Sequence, residues 1–269
     1  MDTRDFQQIV YDYYHDEGRH DLPWRQAGPD GKFDPYRIMV SEIMLQQTQV
    51  GRVIPKFAVF LTAFPTVQAL AAAPLGDVLA QWSGLGYNRR AKFLHQTAQR
   101  VVTDYNGVFP STQADLTALP GIGVNTAGAI MAYAHNVAVV FIETNIRTVY
   151  IHHFFGDETA VPEPAIRQLV AETLDQQQPR DWYWALMDYG SFLKRSVGNL
   201  SRSSAAYHPQ SKFEGSRRQV RGKVIRQLTA SAATFDELQA SISDERLEVV
   251  LAELVAEALI RRDGSRYVL

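Results

Sequence analysis

The sequence predicts an all-α protein closed by a small helical module with a short β-hairpin. Three observations lead there. Apolar residues recur at three- and four-residue spacing along most of the first 200 positions, the period of helices with one buried face. Proline and glycine interrupt that pattern at short intervals, at Pro65, Pro74, Gly84, Gly107, Pro110, Pro120 and Pro162. The last 53 residues repeat the helical period independently, with their own cap residues and a closing Asp-Gly pair.

In chain order, helices are expected over 5–17, 36–64, 66–73, 75–83, 89–105, 112–119, 124–135, 145–155 and 163–176. Helices this short, joined by loops of a few residues, suit a compact all-α domain. The pattern breaks after Leu200: SRSSAAYHPQSKFEGSRR is polar, carries Pro209 and Gly215, and reads as a linker. Beyond it come a helix over 217–230, a second over 234–242 capped by Thr234, and a third over 243–260 capped by Ser243. RRDGSRYVL closes the chain as a hairpin on an Asp263–Gly264 turn. Three helices and a hairpin follow the order of a winged helix-turn-helix; a small interaction module is the alternative.

A chain of 269 residues, 46% hydrophobic and 21% charged, is ordinary for a soluble globular protein. It has no cysteine, which excludes disulfides, thiolate zinc sites and cysteine-ligated iron–sulfur clusters. No apolar run approaches the roughly 20 residues that span a bilayer, and the N-terminus lacks a signal-peptide pattern. A cytoplasmic protein with no membrane partner is expected, nucleoid-associated if prokaryotic, and monomeric. The net charge of −2 is uninformative, but its distribution is not. Lys194 to Arg226 holds nine basic residues against one acid, Glu214, while the remainder carries a net −10. A basic stripe on an acidic body suits nucleic acid; a solvated linker is the alternative. His152 and His153 are adjacent and diverge by about 100° on a helix. His15, His20, His95, His135 and His208 show no metal-ligand spacing.

Two stretches carry the chemistry. In LPGIGVNTAGA, Leu119 to Ala129, Pro120 ends a helix, Gly121 and Gly123 permit a tight hairpin with φ > 0, and a new helix starts near Val124. The unpaired amides of that helix start form a ready phosphate site. In VVFIETNIRTV, Val139 to Val149, an apolar run leads straight into Glu143. A carboxylate at the edge of a core is costly unless paired, hydrated or needed for chemistry, so Glu143 is either a helix cap or a working group. Glu42, in the apolar stretch SEIMLQQ, is placed so that burial raises its pKa and keeps a proton available; an exposed helix glutamate is the bland alternative.

Five ordered motifs, LPWR (22–25), PYRIMVSEIMLQQTQV (35–50), FPTVQALAAAP (64–74), WSGLGYNRRAK (82–92) and LPGIGVNTAGAI (119–130), resemble adenine DNA glycosylases of the MutY type. SEIMLQQTQV separates that type from the endonuclease III type. The resemblance covers about the first 190 residues and implies a two-lobed helix-hairpin-helix glycosylase fold over 1–200. Its six-helix lobe would span about 27–136 and its second lobe 1–26 plus 137–200. A basic linker, 201–216, and a winged-helix-like domain, 217–269, would complete the chain. The implied function is base-excision repair: hydrolysis of the N-glycosidic bond of adenine opposite 8-oxoguanine or guanine in double-stranded DNA. A thymine or uracil mismatch glycosylase on the same scaffold, or a non-catalytic DNA-binding protein, are the alternatives.

By that resemblance Glu42 protonates the adenine and helps activate water. Glu143 stands where the family carries an aspartate that stabilises the sugar cation, one methylene longer here. Asn125 stands where lyase-competent relatives carry a Schiff-base lysine, which implies a monofunctional enzyme. Asn145 completes the catalytic set. Gln47 and Tyr87 match the positions that intercalate when a base is extruded. Leu45, Arg89, Gly121, Gly123, Val124 and Thr126 are grouped with them on DNA, as are Lys212, Arg217, Arg218 and Arg221 of the basic stripe. Trp24, Arg25 and Trp184 are expected around the base pocket. No cofactor is expected beyond a K⁺ or Na⁺ ion on the carbonyls of Gly121 and Gly123. The family's iron–sulfur cluster and Nudix-like C-terminal domain have no counterpart, and the winged helix is expected in the latter's place.

Overall fold

The computed structural model describes residues 1–207, 209 and 212–269; His208 lies outside the described residues. The elements in chain order are α1 (Thr3–Glu17), α2 (Pro35–Leu45), α3 (Val50–Ala63), α4 (Val67–Ala72), α5 (Leu75–Trp82), α6 (Arg89–Asp104) and α7 (Gln113–Thr117). There follow α8 (Val124–His135), α9 (Thr144–Tyr150), α10 (Glu163–Thr173), α11 (Pro179–Ser196) and α12 (Arg217–Ala230). The tail is completed by β1 (Ala233–Thr234), α13 (Phe235–Ile242), α14 (Leu247–Ala256), β2 (Arg261–Asp263) and β3 (Arg266–Val268). The all-α expectation holds, the sheet being three short antiparallel strands in the order β1-β3-β2. Among the described residues no helix is long and apolar enough to cross a membrane. The chain forms two compact units, one of 1–42, 111–118 and 122–209, the other of 43–110, 119–121 and 210–269.

In the first unit α8 is the central helix. Every residue from Thr126 to Ala134 is buried, because small side chains let neighbours approach on all sides. Gly128 shows how closely: a Cβ there would stand 2.8 Å from Phe141 Cβ. α11 packs against α1, α8 and α9. Its Trp182 meets Phe6 edge-on at 5.7 Å, and Phe6 also packs on Tyr150 at 5.2 Å. Full burial of side chains this size stabilises by roughly 1.5–3 kcal/mol each. At Gly190 the backbone of α9 comes so close that a Cβ would lie 2.2 Å from the Asn145 carbonyl oxygen. α11 was not expected as a helix; its Trp-Tyr-Trp run and Gly190 hide the apolar period that Trp182, Leu186, Tyr189 and Leu193 trace on one face.

In the second unit α6 lays Ala91, Leu94, Ala98 and Val101 against α4 and α5, around the fully buried Phe57, Phe60 and Trp82. The tail builds its own core from Val220, Val224, Leu238, Leu247, Val250 and Leu254, and α12 rests on α5. Thr234 caps α13 in a capping box with Glu237, as its position suggests.

Three local expectations are corrected. The run 36–64 is two helices, broken over residues 46–49 where Gln47 turns to φ 55°. Ser243 does not start the third helix of the tail. It ends α13 in the left-handed region at φ 49°, and the Asp244 side chain then accepts from the Arg246 amide, so α14 starts only at Leu247. In the hairpin Asp263 pairs with Arg266, which makes Gly264–Ser265 the two-residue turn; Gly264 has φ 59°.

Candidate active site and nucleic-acid face

Glu42 lies on α2 between the buried side chains of Ser41 and Ile43. Burial pushes its pKa up to about 8; the charge of Glu143 adds to the rise and Arg25 opposes it. Glu143 stands at the N-cap position of α9 with φ −94° and ψ 166°, but its side chain makes no capping bond. That removes the cap alternative. Burial raises its pKa as well, against the pull of Arg147, whose guanidinium is engaged by both carboxylate oxygens of Glu163 at 2.7 and 3.0 Å. Among the described residues neither acid accepts a hydrogen bond from the protein, so desolvation and the neighbouring charges set their behaviour. The two acids are brought together: Glu143 bears on Glu42, and the repulsion falls on the acid that keeps its proton.

The surroundings explain how the acids are held. Asn125 Nδ2 donates to the Ile142 carbonyl at 2.9 Å, and the Ile142 amide donates back to Asn125 Oδ1 at 3.4 Å. The asparagine therefore fixes the backbone one residue before Glu143. Asn145 Nδ2 donates to the Met187 carbonyl at 3.3 Å, tying α9 to α11. Two participants were not anticipated from the sequence. Tyr133 is buried, and desolvation and the charge of Glu42 raise its pKa well above the ordinary tyrosine value, so it keeps its proton beside both acids. Asp188 is 2% exposed and accepts two bonds from Arg25, at 2.8 and 2.9 Å. Arg19 adds its amide and its Nε, both at 2.7 Å. Burial alone would raise the Asp188 carboxyl, but the bonds and charges of Arg25 and Arg19 outweigh it and hold it below the usual range. Only the spacing of an aspartate within the apolar stretch ALMDYG could have flagged it.

Trp24, Arg25 and Trp184, expected at the base pocket, are all buried. Arg25 is committed to Asp188 and stands 5.3 Å over the Trp184 ring, which stacks on Tyr133 at 5.7 Å. All three are packed in the interior rather than exposed at an edge. Removing Asp188 would strand two guanidiniums, one of them in the core. Asp188→Ala is expected to cost roughly 3–5 kcal/mol in a denaturant titration; a loss below about 1 kcal/mol would show that the pair is dispensable.

The hairpin also needs correction. Gly121 has φ 74°, and a Cβ there would lie 2.6 Å from Phe93 Cβ. Gly123, at φ −84° and ψ 173°, is ordinary extended backbone and needs no glycine. Its carbonyl, expected to hold a monovalent cation, accepts the Ala127 amide at 2.9 Å and keeps one lone pair. α8 starts without a side-chain cap, and Gly123 and Val124 are exposed, so the first-turn amides face solvent. Thr126 is buried, which takes its side chain off any DNA surface.

In the second unit Gln47 and Tyr87 line one cavity of about 1050 Å³ together with Arg52, Arg89, Phe213 and Arg218. Leu45, at the end of α2, is partly exposed. Arg218 donates to the Tyr87 hydroxyl and lies 5.1 Å over its ring. Arg217 and Arg221, expected on phosphates, are instead paired within the tail: Arg217 with Glu253, and Arg221 with Glu253 at 3.4 Å and Glu257 at 2.5 Å. α14 and the residue that ends it carry those acids toward α12, so part of the basic stripe is neutralised. Arg89 lies 3.9 Å from Glu257, and Lys212 is exposed. No group of three or more histidine, aspartate or glutamate side chains suited to a metal occurs among the described residues.

Comparison with known proteins gives the family. Residues 40–173 match the HhH-GPD superfamily of base excision DNA repair proteins. The adenine DNA glycosylase of Buchnera aphidicola subsp. Baizongia pistaciae (strain Bp) is 36% identical over 72% of this chain and 54% of that protein. The adenine DNA glycosylase of Mycolicibacterium smegmatis (strain ATCC 700084 / mc(2)155) is 34% identical over 85% of this chain and 82% of that protein. A solved thermostable thymine-DNA glycosylase superposes with a TM-score of 0.61 at 25% identity, over 70% of this chain and 86% of its own. The chain spans about half the length of the Buchnera relatives. An uncapped hairpin helix, two half-buried acids coupled by charge and a relative matched over most of its length lead to one conclusion: the chain belongs to the HhH-GPD superfamily of base excision DNA repair proteins, in the group of the adenine DNA glycosylases.

Proposed function

We propose that the chain is a monofunctional DNA glycosylase that hydrolyses the N-glycosidic bond of adenine opposite 8-oxoguanine or guanine in double-stranded DNA. The observation that carries this reading is the pair of half-buried acids whose environments divide their labour, desolvation and the charge of Glu143 raising the pKa of Glu42 to about 8. Protonated Glu42 donates to a ring nitrogen of the extruded base, which leaves as a neutral purine with the bonding electrons. Ionised Glu143 stabilises the positive charge that develops on the sugar. Glu42, now a carboxylate, accepts a proton from the attacking water, so acid and base roles close on one residue. Asn125 holds the Glu143 backbone and offers no amine for a Schiff base. Gln47 and Tyr87 fill the gap left by the base, and the exposed amides at the start of α8 take a phosphate. The carbonyls of Gly121 and Gly123 would hold a monovalent cation, which would supply positive charge for phosphate binding.

Release from a defined panel of mispairs tests the substrate. Adenine release opposite 8-oxoguanine or guanine is the expected result. Release of thymine or uracil opposite guanine alone would move the chain to the mismatch glycosylases. A second outcome concerns strand scission. Borohydride should trap no appreciable covalent complex, and the abasic product should stay uncut until alkali is added; abundant trapping would overturn the monofunctional assignment.

A further inference from the structure

Gln47 and Tyr87 share an unusual backbone state. Both are left-handed, at φ 55° and 48°, a region that side chains other than Asn and Asp rarely enter. Such residues persist only where their surroundings over-determine them. One guanidinium reaches both of these loops. Arg90 Nη1 donates to the carbonyls of Ile43 (2.6 Å), Met44 (3.0 Å) and Gln46 (2.7 Å). Its Nη2 donates to Thr48 Oγ1 (3.1 Å) and to the carbonyls of Leu85 (3.2 Å) and Gly86 (3.2 Å). Four N–H bonds thus serve six acceptors, four around Gln47 and two just before Tyr87.

Two of the acceptors are ones that α2 cannot satisfy by itself. α2 stops at Leu45, which leaves the carbonyls of Ile43 and Met44 as orphans of its last turn, where a positive charge is also favoured by the helix dipole. The Gly86 carbonyl takes a further bond from Trp82 Nε1 at 3.0 Å. Arg90 is itself buried, its guanidinium 5.3 Å over the Trp82 ring and 5.5 Å over that of Tyr87. A lysine would bring three N–H bonds on a single point and could not span both loops.

We propose that Arg90 is a positioning residue: its buried guanidinium fastens the Gln47 loop to the Tyr87 loop, so that both side chains enter DNA as one rigid wedge. This rests on Gln47 and Tyr87 being the intercalating pair. Neither side chain takes its place by the regular period of a helix; each is aimed by a turn that Arg90 closes. Losing the guanidinium removes bonds from both turns at once.

The test uses the full chain with Arg90→Ala, Arg90→Lys and Tyr87→Ala. Hydrogen exchange of peptides covering 44–49 and 84–89 reads the loops, and 2-aminopurine beside the mispair reads insertion into DNA. Single-turnover excision reads the consequence. Arg90→Ala should speed exchange about tenfold or more in both segments and little elsewhere. It should abolish the 2-aminopurine change on binding and slow excision at saturating enzyme by about thirtyfold, with a smaller effect on affinity. Added guanidinium at millimolar concentration should restore part of each signal, and tetramethylammonium none. Arg90→Lys should stay close to Arg90→Ala, and it carries the test if the alanine variant does not fold. Faster exchange in only one loop, or in both with unchanged 2-aminopurine and excision signals, would overturn the proposal. If Tyr87→Ala leaves those two signals unchanged, the wedge assignment itself has failed and the proposal falls with it.

Discussion

Glu42→Gln should lower single-turnover excision by about 10³-fold, within the 10²–10⁴ range of a lost general acid and base. The amide keeps the shape of the side chain and its place on α2 but has no proton to give. The wild-type rate should itself decline as the pH rises through about 8, where Glu42 loses its proton, and the residual rate of the variant should lack that limb. Stability moves the opposite way. Because the folded pKa stands near 8 and the ordinary value near 4.5, the folded protein binds the proton more tightly. The stabilisation is fully present below about pH 4.5, declines as the pH rises, and is gone above about pH 8. Glutamine does not titrate, so the variant should be more stable than wild type at pH 9, by roughly 2–4 kcal/mol, with the gap closing toward pH 4.5. Less activity with more stability is the signature of a residue kept for chemistry. Unchanged excision, or a variant less stable at pH 9, would remove Glu42 from the role.

Much of this was legible in the sequence for physical reasons that can be named. Most helices of residues 1–176 announce themselves because one face is buried and the other is not, α8 being the exception, buried on all sides. The cap at Thr234 appears because its hydroxyl satisfies an otherwise orphaned amide. Glu42 and Glu143 stood out because each interrupts an apolar run. What stayed hidden depends on partners distant in sequence. Asp188 and Arg25 are 163 residues apart, and neither local pattern reveals that they meet. Tyr133 looks like any core aromatic until two acids are placed beside it. The break at Gln47 is set by Arg90, some forty residues on, so the stretch from 36 to 64 reads as one helix. The basic stripe misled in the opposite sense: charge counted along the chain cannot show that α14 turns Glu253 and Glu257 toward Arg217 and Arg221.

Whether glutamate can do an aspartate's work at position 143 is decided by a pair of substitutions. Glu143→Gln removes the charge and keeps the length; it should slow excision by about 10²–10³-fold, the usual cost of losing one preorganised electrostatic group. Glu143→Asp keeps the charge and withdraws it by about 1.5 Å, one methylene. Asn125 fixes the backbone at Ile142, and Gly190 locks α9 onto α11, so the main chain cannot follow the shorter side chain. The aspartate variant should therefore lose about tenfold, a misplacement effect smaller than loss of charge. An aspartate variant as active as wild type would show that the site tolerates either length. The neutral variant offers a second readout. Glu143 raises the pKa of Glu42 through charge, so Glu143→Gln should move the Glu42 limb of the pH–rate profile below about 8. The limb moves down because the repulsion that favours the protonated form of Glu42 has gone. Burial also raises the pKa of Glu143, so the glutamine variant should gain stability above the ordinary carboxylate range, the sign found for Glu42. A limb that stays in place would mean the acids do not interact, and with that the division of labour between them would fail.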